Sequence, residues 1–185
     1  QSLYASSSPL HMLPPALLHR ASLSEDSPNE CLTALITLDS AGKVRGHELV
    51  RSVIGPVRAL SYDEVDEVLR GSDGMDSMVH RDLRKLDLVA RRRAEGRGAR
   101  APDADADADA SAVRWRGTLA GGLRPEAIVH TASRAIVGES LALYSFAARG
   151  AAKRHNLLRL PQTENQRVGT APLRRYADMV SQRQL

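Results

Sequence analysis

The apolar positions of this chain form short runs in its first third and helically spaced sets farther along. Residues 31–38 make up a short apolar run that contains threonine, a pattern that predicts a β-strand. Residues 44–57 predict one or two further strands, interrupted at Gly55-Pro56. Because residues 40–42 have a turn sequence, we expect the first two strands to form a hairpin.

A helix with clear sequence boundaries follows the hairpin. Ser61 and Glu64 have the spacing of a capping box, and Gly71 stands where a C-terminal cap belongs. The apolar stripe between these ends consists of Val65, Val68 and Leu69. A longer amphipathic helix with an arginine-rich end is predicted over residues 75–93.

Shorter elements are predicted in the second half of the chain. Residues 113–119 and 127–131 predict two short strands, with Gly121-Gly122 as turn material between them. Ser133 is a suitable cap for the helix that follows. One face of that helix carries, at helical spacing, Ile136, Glu139, Leu143, Phe146 and Gly150.

The last helix is predicted to begin at Pro172, because a proline at the first helical position has no hydrogen bond to lose. Arg174 and Arg175 then fall in its first turn. The free N–H groups of a helix start carry partial positive charge and bind phosphate. Two guanidinium groups that can each fork onto anionic oxygens strengthen this preference. The alternative is a surface arginine pair on an ordinary helix.

The order of strands, helices, a hairpin and further helices predicts an α+β fold, with a small antiparallel sheet packed by helices. A length of 185 residues suits one domain or part of one. Residues 1–28 are rich in serine and proline, which predicts an irregular lead-in. Residues 99–112 enclose the run APDADADADA and predict a disordered low-complexity insertion. Its aspartates lack the glycine and glutamate of an EF-hand, so we expect no metal there.

Charge and composition narrow the choice of partner only slightly. The chain has 26 Lys and Arg against 22 Asp and Glu, a mild excess that is compatible with a polyanionic partner. Arginines cluster at residues 91–93 and 174–175, which favours a local positive field. The single cysteine excludes an internal disulfide framework. No apolar run approaches the length of a membrane span, and we expect no membrane partner.

Three stretches carry motifs in a characteristic order. Residues 170–178 read T-A-P-L-R-R-Y-A-D, Tyr4 is followed by H-M-L-P at residues 11–14, and residues 31–71 contain S-V-I and then S-Y-D-E-V. Together they resemble motifs of the ribonuclease II and ribonuclease R exoribonucleases, the RNB-domain family. The first is similar to the T-S-P-I/L-R-R-Y-x-D motif of that family. The resemblance implies that residues 1–185 are a partial RNB catalytic domain.

The resemblance also implies a function: hydrolysis of single-stranded RNA from its 3′ end to nucleoside 5′-monophosphates, with Mg²⁺ as the cofactor. Tyr4 would stack on the 3′-terminal base, a contact that holds RNA without reading its sequence. Arg174 would be catalytic, contacting the scissile phosphate and stabilising its developing charge, and Arg175 would bind RNA beside it. Asp178 and Glu139 would support the site. Asp178 can pair with Arg174 along the helix, and we hypothesise a salt bridge from Glu139 to Arg174 or Arg175.

The sequence departs from the family pattern at three places. Ala171 replaces a serine, so a hydroxyl cap is lost unless Thr170 substitutes for it, and Gln182 replaces a histidine with a side chain that cannot titrate. The family's metal-binding aspartate cluster, which lies upstream of the tyrosine, is absent. Because Mg²⁺ needs fixed carboxylates, we expect it only in the full-length protein, with no metal bound by this fragment and no activity from it alone.

Three interpretations therefore stay open. The chain is part of a 3′-to-5′ exoribonuclease, or a non-catalytic RNA-binding or scaffolding remnant of an RNB domain, or an unrelated basic α+β domain. Under the first, its partners are single-stranded RNA and the remainder of its own RNB domain, upstream and downstream. Cytoplasmic and organellar locations, in a plastid or mitochondrion, are equally compatible with the sequence.

Overall fold

The computed structural model describes residues 3–4, 9–71, 76–96, 113–117, 122–127, 130–155 and 168–185. These residues belong to two compact units. The first comprises Gln1–Ser61 and Ser140–Leu185, and the second comprises Tyr62–Glu139. The disordered insertion predicted at residues 99–112 lies outside the described residues.

The lead-in is more regular than the sequence suggests. Strand β1 (Leu3–Tyr4) pairs antiparallel with β2 (Pro9–Leu10), and helix α1 (Pro15–Ala21) follows. Pro15 occupies the first turn of α1, where a proline loses no hydrogen bond and its fixed φ suits the helix. The prediction of an irregular segment over residues 1–28 is therefore wrong for these three elements, because Pro9 lies within a strand and Pro15 begins a helix.

The predicted hairpin is confirmed in the first unit. Strand β3 (Asn29–Leu38) pairs antiparallel with β4 (Val44–Ile54). In the turn, Gly42 has a φ of 76°, a left-handed conformation that glycine adopts without steric cost. The Asp39 carboxylate accepts the backbone N–H of Lys43 at 2.8 Å, which orders the reversal of the chain.

Two helices open the second unit, as predicted. Helix α2 (Tyr62–Arg70) begins directly after Ser61 and is followed by Gly71, whose φ of 111° lies in the left-handed region. Helix α3 (Ser77–Gly96) corresponds to the helix predicted over residues 75–93. The amphipathic patterns identified both helices because their apolar residues recur at helical spacing.

A second hairpin is present, but with a shifted second strand. Strand β5 (Val113–Gly117) pairs antiparallel with β6 (Leu123–Ala127). The prediction of a strand over residues 127–131 is therefore wrong, and residues 128–129 are not described. The prediction rested on the apolar run at residues 127–131. The strand that pairs with β5 is instead LRPEA, a segment with charged residues and Pro125. A two-stranded ladder has only edge strands, where proline is tolerated.

Helix α4 (Ala132–Arg154) starts two residues earlier than a cap at Ser133 would place it. Its first bond runs from the N–H of Ala135 to the carbonyl of Thr131, so Ser133 lies inside the first turn and is not the cap. The cap comes from α2: the Asp66 carboxylate accepts the backbone N–H of Ser133 at 2.9 Å. Burial raises the pKa of Asp66, but this N–H and the hydroxyls of Thr131 and Ser133 outweigh it, and the net shift is downward.

The face predicted for α4 is buried only in part. Ile136 and Glu139 are buried, as expected for one apolar stripe. Phe146 is 49% exposed, and its ring meets His47 of β4 edge-on, with 5.3 Å between centroids. The residues buried along the C-terminal half of α4 are small: Ser145, Ala147, Ala148, Ala151 and Ala152. Close packing of small side chains replaces the large apolar ones there, a choice that periodicity alone does not reveal.

We expect Asp66→Ala to lower the free energy of unfolding by about 1–2 kcal/mol at neutral pH, because it removes the carboxylate that caps α4. The pKa of Asp66 is lower in the folded protein than its ordinary value of 3.8. The stabilisation is therefore complete above that value and is lost as the pH falls through the lower folded pKa. Urea unfolding from neutral to strongly acidic pH measures both effects.

Glu67→Ala is the matched control, because Glu67 is the exposed acidic neighbour of Asp66 on the same helix. It should change the free energy of unfolding by no more than about 0.5 kcal/mol. Equal losses in the two variants, or a loss in Asp66→Ala that persists unchanged into strong acid, would exclude the capping role.

The final helix, α5, spans Tyr176–Gln184, so the prediction that it begins at Pro172 is wrong. The carbonyl of Ala171 accepts the N–H groups of both Arg174 and Arg175, at 3.2 and 2.9 Å, which closes a turn ahead of the helix. Arg175 is the cap residue, with an extended backbone at φ −121° and ψ 119°. The two arginines therefore precede α5 and do not lie in its first turn.

The α+β fold class is confirmed. The sheet content of the described residues consists of three separate antiparallel pairs, β1–β2, β3–β4 and β5–β6, beside five helices. None of the helices in the described ranges is long and apolar enough to cross a membrane.

Candidate functional site

The arginines of the sequence motif lie on the described segment directly before α5, defined here as the arginine loop, residues 168–175. The loop begins at Val168, which is only 1% exposed. The N–H of Val168 donates to the Ser145 hydroxyl at 3.2 Å, and that hydroxyl donates to the carbonyl of Leu141 at 2.9 Å. The start of the arginine loop is thus fixed to α4 by packing and by hydrogen bonds.

Gly169 continues this fixed start. Its φ is +67°, and a Cβ there would lie 3.3 Å from Cγ of Gln182 and 3.4 Å from a ring carbon of Tyr144. Both the conformation and the space favour glycine. Gln182 of α5 donates its side-chain N–H to the carbonyl of Gly169 at 3.0 Å. Gln182, whose side chain cannot titrate, thus connects α5 to the arginine loop through a hydrogen bond.

Asp178 holds the middle of the arginine loop. Its side chain is buried, and its carboxylate accepts the backbone N–H of Gly169 at 3.2 Å and that of Ala171 at 2.8 Å. The same carboxylate forms an ion pair with Arg175, with 2.7 Å from Nη2 to Oδ2. The predicted pairing of Asp178 with Arg174 is therefore wrong, because Arg174 lies in the turn before α5 and the i,i+4 helical spacing does not apply.

Arg175 faces the interior of the loop. Besides the ion pair with Asp178, its Nη2 donates to the Thr170 hydroxyl at 2.6 Å. The Arg175 side chain is 22% exposed. Thr170 thus binds the guanidinium group and does not cap α5, where no side-chain cap bond is present. Arg175 ties the loop to α5, and its contact with RNA stays a prediction.

Arg174 faces solvent. It is an exposed residue, and within the described part of the chain its side chain makes no hydrogen bond or ion pair. The loop around it is held at Val168, Gly169 and Ala171, so the backbone that carries Arg174 is fixed while its guanidinium group stays available. A planar guanidinium with five N–H donors in this state is suited to bind phosphate oxygens.

Tyr144 lies beneath the arginine loop. Its hydroxyl is buried and forms no hydrogen bond with the described residues. Burial raises the pKa of Tyr144, the nearby Gln182 amide opposes this, and the negative charge of Asp178 adds to the upward shift. Neither Tyr144 nor Ser145 was identified from the sequence, because both lie on a helix more than twenty residues before the loop, and no local pattern marks them.

Glu139 is buried in the second unit, at 2% exposure, and is paired with an arginine, as a carboxylate on an apolar stripe requires. The partner in this unit is Arg93 of α3, whose Nε lies 2.9 Å from Oε2 of Glu139. Burial lowers the pKa of Arg93. Arg174 and Arg175 belong to the first unit, and the hypothesised salt bridge from Glu139 to either of them stays a prediction.

Two further expectations concern Tyr4 and metal. The backbone of Tyr4 lies in β1, opposite Pro9, but its side chain is outside the described part of the structure, so its stacking role stays a prediction. Among the described residues, no three His, Cys, Asp or Glu side chains come together to form a metal site. The oxygen ligands that Mg²⁺ prefers are not assembled in this part of the chain.

Comparisons with known proteins identify a family from the sequence and similar folds among solved structures. The RNB domain matches residues 1–117. The fold is similar to the apo form of RNase R from Mycoplasma genitalium, with a TM-score of 0.68 and 16% sequence identity over 84% of this chain and 24% of that one. It is equally similar to an active-site mutant of the Dss1 exoribonuclease from Candida glabrata, with a TM-score of 0.68 and 17% identity over 84% and 22% of the two chains.

Two further solved structures extend the comparison. Mycoplasma genitalium RNase R in complex with ribose-methylated single-stranded RNA gives a TM-score of 0.68 and 16% identity, over 84% of this chain and 24% of that chain. The same enzyme in complex with double-stranded RNA gives a TM-score of 0.68 and 17% sequence identity, over 84% of this chain and 28% of that chain. The chain thus spans about a quarter of the length of these structures. No curated protein sequence matches it.

Proposed function

The chain belongs to the RNB-domain family, and from this premise we propose that it forms part of an enzyme that hydrolyses single-stranded RNA from the 3′ end. The products are nucleoside 5′-monophosphates. The observation that carries the proposal is Arg174, an exposed residue on a loop that is held before it by the N–H bonds of Val168 and Ala171 and after it by the ion pair of Arg175 with Asp178. Similarity to RNase R in complex with single-stranded RNA supports RNA as the partner.

The proposed role of Arg174 is to bind the scissile phosphate. Release of a nucleoside 5′-monophosphate breaks the bond between phosphorus and O3′ of the preceding nucleotide. Negative charge grows on the phosphate oxygens as this bond breaks, and a fixed cation binds that charge more strongly than it binds the ground state. Fixing the donor in advance removes the cost of reorganising it during the reaction. The arginine loop provides this fixation through Asp178, Ser145 and Gln182, none of which needs to touch RNA.

Arg175 and Asp178 are proposed as positioning residues. Their ion pair and the two N–H bonds to the Asp178 carboxylate define the path of the chain from Gly169 to α5. The side chain of Tyr4 is proposed to stack on the terminal base, which would hold any nucleotide because every base has a π face. Stacking and phosphate binding together make the contact independent of sequence.

Metal chemistry has no assembled donor set among the described residues. In the full-length protein, we propose Mg²⁺ as the cofactor; a hard divalent ion of this kind activates a water molecule and neutralises charge on phosphate oxygens. Because the described residues assemble no cluster of ligands for that ion, the side chains of this chain are proposed only to bind and orient RNA and to stabilise the charge that develops on its phosphate.

End-labelled RNA tests the proposed function in the intact protein supplied with Mg²⁺. An RNA labelled at its 3′ end should release labelled mononucleotide at once, whereas a 5′ label should remain on long RNA until late in digestion. The same RNA closed into a circle is the matched control and should resist digestion, since it has no 3′ end. Cleavage of the circle, or binding of linear RNA without any release of mononucleotide, would contradict the proposal.

A further inference from the structure

Helix α3 carries a row of cations on its solvent face. We propose that this face is a second RNA-binding surface, which grips the phosphate backbone and takes no part in the chemistry. The residues of this basic stripe are Arg81, Arg84, Lys85, Arg91 and Arg92, all exposed. The proposal accepts RNA as the substrate of the proposed function, but it concerns a different surface in the second unit.

The spacing places the cations on one side of the helix. Arg81, Lys85 and Arg92 are separated by four and seven residues, so they lie above one another along α3, and Arg84 lies beside them. The opposite side is the buried one, because Ala90 is only 3% exposed. From Arg81 to Arg92 the stripe runs about 16 Å along the helix axis, at 1.5 Å per residue.

Acidic neighbours neutralise the stripe only in part. Helix α3 contains six Lys and Arg residues against three Asp and Glu residues. Asp82 lies 3.3 Å from Lys85 and Asp87 lies 2.9 Å from Arg91, but the three basic side chains Arg81, Lys85 and Arg91 remain 64%, 65% and 68% exposed. Exposed ion pairs are worth little in water, so a phosphate competes with them readily.

A shallow concavity of about 460 Å³ lies on this face, lined by Ser77, His80, Arg81, Arg84, Lys85 and Leu88. The Nε–H group of Arg84 donates to Nε2 of His80 at 2.8 Å, which orients the guanidinium group. Leu88 is 47% exposed and lies at the same spot. This face therefore combines a row of basic side chains, an oriented guanidinium group at Arg84 and a small apolar surface at Leu88.

This chemistry fits nucleic acid better than a protein surface. The centre of a protein interface is apolar and depleted in charged residues, whereas this face offers one exposed leucine among cations. A phosphate backbone instead presents regularly spaced single charges, and each neutralised phosphate releases counterions. The stripe therefore fits RNA bound along its backbone, without discrimination between bases.

Binding measured without cleavage tests the proposal. The probe is a fluorescent oligouridylate whose anisotropy is recorded in chelator, so that Mg²⁺-dependent hydrolysis cannot occur. In the intact protein, the triple variant Arg81→Gln, Arg84→Gln, Lys85→Gln should bind roughly tenfold to a hundredfold more weakly at low salt. The slope of log K against log salt should become shallower by about 2, since each phosphate contact on a single strand contributes about 0.7.

The matched control removes three exposed cations from the first unit: Lys43→Gln, Arg51→Gln, Arg58→Gln. It changes the net charge equally and should leave the slope within about 0.5 of the parent value. Equal effects in the two triple variants, an unchanged slope in the α3 variant, or equally effective competition by polyglutamate would each overturn the proposal. Circular dichroism should show intact helix in both variants.

The outcome is separable from that of the proposed function. A protein that releases no mononucleotide but shows the change in salt slope would keep the basic stripe and lose the exoribonuclease assignment. If the protein digests RNA from the 3′ end and the salt slope of the α3 variant is unchanged, the exoribonuclease assignment is kept and the basic stripe is excluded as an RNA-binding surface.

Discussion

Replacing Arg174 by alanine is expected to lower kcat for RNA hydrolysis by about 10²–10³-fold in the intact protein, the effect of removing one preorganised donor to transition-state charge. The side chain is exposed and makes no hydrogen bond or ion pair within the described residues. The free energy of unfolding should therefore change by no more than about 0.5 kcal/mol. Single-turnover cleavage of a labelled oligonucleotide, combined with urea unfolding, measures both quantities.

Arg175→Ala is the matched control for this prediction. It removes the same functional group from the next position, but this guanidinium holds the loop through Asp178 and Thr170. The Arg175 variant should lose stability, whereas the Arg174 variant should lose only activity. Arg174→Lys should recover part of kcat, because an ammonium keeps the charge but lacks the fork. Full activity in Arg174→Ala would remove Arg174 from the mechanism.

Replacing Asp178 by alanine should lower the free energy of unfolding by about 3–5 kcal/mol, the range for breaking a buried ion pair. The variant leaves the cation of Arg175 facing a cavity and deprives Gly169 and Ala171 of the acceptor for their N–H groups. Because the path of the loop depends on these bonds, kcat should fall as well. Denaturant unfolding and single-turnover cleavage test the two parts separately.

Asp63→Ala provides the comparison, because Asp63 is also an acidic residue in the first turn of a helix but is exposed. Loss of its interaction with the helix dipole should cost less than about 1 kcal/mol. The loss in free energy of unfolding for Asp178→Asn should lie between those of Asp178→Ala and Asp63→Ala, since the amide oxygen can still accept one N–H but carries no charge. A loss below 1 kcal/mol in Asp178→Ala would mean that the buried carboxylate does not hold the loop.

Local sequence determined the elements that were predicted correctly. The hairpin of β3 and β4 followed from a turn sequence between two apolar runs, and α2 followed from residues at its two ends, Ser61 and Gly71. In each case the information lies within a few residues of the element itself. The α+β class then follows from the order of these elements.

The start of α5 could not be predicted in the same way. Pro172 is compatible with a first helical turn, but the carbonyl of Ala171 accepts two N–H groups in a separate turn, and Asp178 draws Gly169 and Ala171 onto α5. These are contacts between residues up to nine positions apart, decided by burial of a carboxylate. Helix α4 shows the same effect, because its cap, Asp66, comes from a helix sixty-seven residues before Ser133.

In the candidate site as well, part of the arrangement could be predicted from local sequence and part depends on tertiary contacts. The sequence motif singled out both Arg174 and Arg175, and two adjacent arginines are indistinguishable by composition or charge. Only the backbone distinguishes them: the turn leaves Arg174 in solvent, while the extended conformation of Arg175 directs its guanidinium group to Asp178 and Thr170. Arg174 is therefore available to a ligand, whereas Arg175 holds the loop in place.

A double-mutant cycle tests directly whether Arg174 binds the terminal phosphodiester of RNA. Affinity is measured, in chelator, for the parent protein and Arg174→Ala, each with an ordinary oligonucleotide and with one whose last phosphodiester is an uncharged methylphosphonate. If Arg174 contacts this phosphate, the coupling energy should be about 1 kcal/mol or more, because either change alone removes the same charged contact. Losses that add to within about 0.3 kcal/mol would show that Arg174 and that phosphate do not interact.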